Sequence, residues 1–204
     1  MEAIDRRRHL VWLSVAVFAV GLGISAWHIA RDDRPALRHP AIISTAYASF
    51  ALWAGALALR IPAKPGEWIP SGGRFRIARW TWLLAALMYV IHVGVAFHFA
   101  HRWQHAKAYE HVEATSGFGP GIYVSYAFSI AWVADALWLL VGPRTYADRP
   151  KWLDLSIQFG FAFIVLNGTV VFGHAPMRWV SSAVFAVLAG ALLKARWEQR
   201  RSAI

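Results

Sequence analysis

Six mostly apolar runs divide the chain, at about 10–30, 41–59, 80–101, 122–142, 156–173 and 177–193. Each is close to the roughly 20 residues that an α-helix needs to cross a bilayer. In lipid every backbone N–H and C=O must be paired within the segment, so the runs are expected to be helices. The alternation of an outer-membrane barrel strand is absent. Charged residues make up only 16% of the 204 residues, against the quarter or so of a water-soluble domain. The expected fold is all-α: a polytopic integral membrane protein, one six-helix transmembrane bundle over 1–204.

Charge sets the expected orientation. Fifteen of the 21 Lys and Arg lie in 1–9, 60–79, 143–155 and 194–204, and six in 31–40, 102–121 and 174–178. The positive-inside bias then places both termini in the cytoplasm of a plasma (inner) membrane protein. Tryptophans favour interfaces, and they agree. Trp12, Trp80, Trp82, Trp152 and Trp197 fall at the inner rim, and Trp27, Trp103 and Trp179 at the outer. The first run is expected to be retained. It exceeds a signal core of roughly 7–15 residues, and Trp27-His28-Ile29-Ala30-Arg31 is no small-residue cleavage site. The net charge of +10 follows from basic inner loops beside anionic lipid. The expected partner is the bilayer, with no nucleic acid.

With no cysteine, disulfides, iron–sulfur clusters, blue-copper centres and covalent c-type haem are excluded. Histidine, carboxylate and tyrosine remain as ligands. Seven of the nine histidines fall at the outer face on this topology: His28, His39, His98, His101, His105, His111 and His174. His92 lies deeper in the same half, and His9 lies on the other side.

His98, His101 and His105 follow an i, i+3, i+7 spacing, which on an α-helix confines them to a stripe of roughly 60°. No Gly or Pro occurs between Gly94 and Gly117, so the third helix is expected to continue past the membrane to about Ala114. Tyr109 would extend the stripe. Glu110, His111 and Glu113 would lie above it as weaker ligands. The run Ser116-Gly117-Phe118-Gly119-Pro120-Gly121 then ends the helix as a plain turn.

Neutral imidazoles at such spacings can share a metal. The expected site is therefore His98, His101 and His105 with His174 from another helix. The cofactor would be copper, iron or haem b. His98-x-x-His101 and His101-x-x-x-His105 resemble the histidine boxes of membrane desaturases and hydroxylases over eight residues. The second box of that family is missing, and its boxes face the cytoplasm. For His28, His39 and His111 a headgroup or water contact is the plainer reading. His174 stands even between the two.

Asp135 is the one carboxylate well inside a run, where an unpaired charge costs about 2.5–3.5 kcal/mol. His92 is its expected partner, as a buried hydrogen bond, a proton relay or a support for a ligand. Together these point to a redox protein: a copper or iron oxidoreductase, or a b-type electron-transfer protein meeting quinol. The alternative is a non-catalytic membrane subunit of a larger respiratory or photosynthetic complex. A transporter fits less well, because no run is broken by a central proline.

Overall fold

A computed structural model describes residues 40–61, 73–173 and 175–201. Among them every regular element is helical. The helices are α1 (Pro40–Arg60), α2 (Gly73–Ala96), α3 (His105–Ser116), α4 (Gly121–Val141), α5 (Pro143–Ala147), α6 (Lys151–Leu166) and α7 (Met177–Arg201). Two π-helical turns extend this set, Phe97–His101 beyond α2 and Asn167–Val171 beyond α6.

Five described helices are long and apolar enough to cross a membrane: Pro40–Arg60, Gly73–His101, Gly121–Val141, Lys151–Val171 and Met177–Gln199. They match the five apolar runs after residue 40. The first run, at 10–30, lies outside the described residues. Large apolar side chains point outward all along these helices, including Val141 (83% exposed), Phe159 (72%) and Leu193 (70%). In water such a surface would drive aggregation, whereas hydrocarbon solvates it.

Local chemistry sets the helix ends. Pro40 and Pro143 stand at first helical positions, where the missing N–H costs nothing. Gly117 ends α3 in the left-handed region (φ +73), and its N–H bonds the Glu113 carbonyl at 2.8 Å. Asp154 lies in the first turn of α6, where the helix dipole favours a negative charge.

The described residues form two compact units. One comprises 40–53 and 81–136. Its core is an aromatic ladder between antiparallel α2 and α4. Trp82 packs on Trp132 (centroids 5.5 Å apart), Tyr89 on Trp132 (5.5 Å) and on Phe128 (5.0 Å). Buried Ala85, Ala86 and Ala136 provide the small surfaces that let membrane helices approach. Ser49 donates to the Ala85 carbonyl at 3.2 Å, which ties α1 to α2.

The other unit comprises 54–61, 73–80 and 137–201, His174 excepted. Arg74 donates from Nε (3.2 Å) and Nη2 (2.9 Å) to the Leu59 carbonyl at the end of α1. Arg60 donates to the Tyr146 hydroxyl at 3.3 Å. The guanidinium of buried Arg149 lies 3.8 Å from the Tyr146 ring centroid and pairs with Asp154. Arg178 caps the π turn of α6, donating to the carbonyls of Val170 (3.0 Å) and Val171 (3.1 Å).

One expectation about the third helix fails. It does not run unbroken to Ala114. Arg102 (φ +50) and Trp103 (φ +59) are both left-handed, and α3 begins afresh at His105. Each such non-glycine residue costs about 1–3 kcal/mol, so local contacts must hold the break. The Trp103 N–H closes onto the Phe97 carbonyl (2.9 Å), and the Gln104 N–H onto His101 (2.9 Å). The Trp103 indole donates to His98 Nδ1 at 3.3 Å and faces Phe97.

Candidate functional site

The π turn and the break that follows it disperse the expected histidine stripe. A π turn bonds i to i+5 and is wider than an α turn, so side chains three or four apart no longer stack. His98 is exposed and takes the Trp103 indole N–H. His101 turns inward and is 8% exposed. His105 starts a new helix with a new direction. Its Nδ1 lies 2.9 Å from the Tyr126 hydroxyl and its Nε2 3.3 Å from the Tyr123 hydroxyl. The expectation that His98, His101 and His105 share one face is therefore corrected. Among the described residues no three His, Asp or Glu side chains converge as a metal cage.

The structure instead joins His101 to His111, which sequence reasoning ranked as a weaker ligand. Their ring centroids are 5.5 Å apart with planes inclined at 41°. The break folds α3 back far enough for its second turn to reach the end of α2. Phe97 packs edge-on against His101 at 5.5 Å and lies 6.1 Å from Tyr126. Burial pushes the His111 imidazole below its ordinary value of 6.5, so its neutral form prevails at pH 7.

The turn after α3 fixes that position. The Gly119 N–H donates to the Glu113 carboxylate, and a Cβ on Gly119 would collide with the Tyr109 ring. Glu113 is thus engaged by the turn, and Tyr109 packs there. Glu110 is exposed. His28, His39 and His174 lie outside the described residues.

The expected His92–Asp135 pair is also corrected. Asp135, 3% exposed, accepts the Trp82 indole N–H at 2.8 Å. His92 Nδ1 lies 3.1 Å from the Ile42 carbonyl and 3.2 Å from Thr45 Oγ1. The cause is register. Asp135 is level with Trp82, and His92 is ten residues further along α2, about 15 Å at 1.5 Å per residue.

Tyr123 and Tyr126 are contacts that sequence reasoning missed. Their three-residue spacing at the start of α4 was the available signal.

The fold defines a class, a helical protein with five described membrane-crossing candidates. No family model, curated protein or solved structure matches the chain.

Proposed function

We propose that this is a membrane metalloprotein with a non-haem copper or iron redox site at the outer face, built on the His101–His111 pair. The ring separation of 5.5 Å carries the reading. Two imidazoles on one ion, each with a metal–nitrogen bond of about 2.0–2.1 Å, leave their centroids about 5–6 Å apart. Ligation also requires neutral imidazole, and burial favours that form at His111.

The pair supplies two donors, which suits an open site completed by water or substrate oxygens better than a closed structural cage. Soft thiolate ligands are unavailable, and imidazole suits copper and iron. His105 at the start of α3, and Tyr123 and Tyr126 on the first two turns of α4, are imidazole and hydroxyl groups able to hold or pass a proton. The orientation comes from the Lys and Arg distribution.

Metal analysis of protein purified without chelating resin tests this. Native protein should carry copper or iron. His101→Ala and His111→Ala should each lower the content sharply, and His98→Ala should leave it unchanged. Native protein without either metal, or a His101→Ala variant with full content, would overturn the reading.

A further inference from the structure

α2 opens with three arginines, Arg74, Arg76 and Arg79, and neither α1 nor α2 carries an Asp or Glu. Arg74 is satisfied by the Leu59 carbonyl. Arg76 and Arg79 have no hydrogen-bond or ion-pair partner among the described residues. Their settings differ. Arg76 is exposed, whereas Nε of Arg79 is sealed from solvent and still bonds nothing among the described residues. A buried cationic donor without an acceptor is among the costlier features a fold can carry, so an anion is expected to meet it.

The kind of anion follows from the neighbours. Arg76 and Arg79 are three apart, which makes them neighbours on the helix surface, so their guanidiniums can serve one group. A guanidinium presents a planar fork that matches a phosphate. Trp80 is exposed beside them, and indoles favour the membrane interface. Further along α2, exposed Leu84 and Leu87 join Arg76 and Trp80 in a stripe of roughly 80°. Cations at the rim with an apolar stripe below them are complementary to a phospholipid, phosphate above and acyl chain beneath. A soluble anion would match the arginines and leave the stripe unused. An anionic headgroup neutralises the uncompensated arginines, and a zwitterionic one brings its own cation.

We propose that Arg76 and Arg79 hold the phosphate of an anionic phospholipid whose acyl chain lies along Trp80, Leu84 and Leu87. This site is at the opposite end of α2 from the His101–His111 pair and does not depend on it.

Native mass spectrometry of the full-length chain in mild detergent, offered phosphatidylglycerol beside phosphatidylcholine, tests the proposal. The wild type should retain phosphatidylglycerol in preference. Arg76→Gln and Arg79→Gln should each lower that preference about fivefold, the usual weight of one basic residue at an anionic leaflet. Lys107→Gln, which removes one exposed charge from α3, should leave it unchanged. Exposed Arg76→Gln carries the comparison if Arg79→Gln does not fold. Thermal unfolding in nanodiscs gives a second readout. Arg79→Met removes the unmet buried charge, so it should melt at or above the wild type in phosphatidylcholine and below it in phosphatidylglycerol. No preference in the wild type, an unchanged preference in the Arg76 and Arg79 variants, or an equal loss in Lys107→Gln would overturn the assignment. So would inorganic phosphate that raises the wild-type melting temperature as far as phosphatidylglycerol does, since the ligand would then be a free anion.

Discussion

The Trp82 indole donates to the Asp135 carboxylate at 2.8 Å, across the α2–α4 interface and away from water. Each partner is buried, so neither can replace the other with solvent. Trp82→Phe keeps most of the ring packing on Trp132 and removes only the donor. It should cost about 1–3 kcal/mol, the penalty for a buried acceptor that loses a partner. Asp135→Asn keeps an acceptor oxygen and should cost less. Thermal unfolding in one detergent ranks the two. A Trp82→Phe variant as stable as the wild type would show that the indole N–H contributes little.

Gly119 is the point of closest approach in the turn that places His111. An added Cβ would enter the Tyr109 ring and sit 2.7 Å from a Glu113 carboxylate oxygen. Gly119→Ala should therefore destabilise by about 1–3 kcal/mol, the range for overpacking. Gly55 has open space where a Cβ would go, and Gly55→Ala should be tolerated. Unfolding curves of both variants check the contrast.

Five helices were legible because a lipid-length apolar run is among the strongest signals a sequence carries. The run at 80–101 became α2 with its π turn, and 122–142 became α4 within a residue. The break at Arg102–Trp103 was not legible. It uses neither Gly nor Pro, and its support comes from Phe97, His98 and the Trp103 indole. One such break reorders the histidines, since His105 keeps its spacing in sequence but not its direction. The Asp135–Trp82 pairing was hidden for a different reason. Apolar runs give helix ends only to within about two turns, as at Gly73 against 80, and a buried pair depends on register finer than that.

The strain at the break has a direct test. Arg102 is exposed and left-handed, and glycine adopts that conformation without a Cβ penalty. Arg102→Gly should be neutral or stabilising by about 1 kcal/mol. Arg102→Val should be destabilising, because a β-branched residue resists positive φ. If valine were tolerated as well as glycine, the left-handed turn would not be the conformation present in the membrane.

His111 gives a pH dependence of known sign in metal-stripped protein. Burial lowers its folded-state value below the 6.5 of the free side chain. As pH falls, the unfolded chain takes up the proton first. The contribution is therefore complete above about 6.5, declines in the window below it, and levels off under the folded value. His111→Gln should flatten that part of the stability profile. A slope unchanged by the substitution would assign it to other groups.

The last prediction concerns topology, on which the outer placement of the His101–His111 pair depends. Between Thr115 and the C-terminus the described chain has three helices long enough to cross: Gly121–Val141, Lys151–Val171 and Met177–Gln199. An odd number of crossings puts Thr115 and the C-terminus on opposite sides, whatever the segment before residue 40 does. By the positive-inside rule, the Lys and Arg excess at 143–155 and 194–204 predicts a cytoplasmic C-terminal side. A periplasm-active phosphatase fused at Thr115 should therefore be active, and a fluorescent protein at the C-terminus should fold and fluoresce. An inactive phosphatase at Thr115 beside a fluorescent C-terminus, which puts both on one side, would mean that one of the three helices does not cross. The histidine pair would then not face the periplasm, and the proposed site would have to draw its metal and substrate from the cytoplasm.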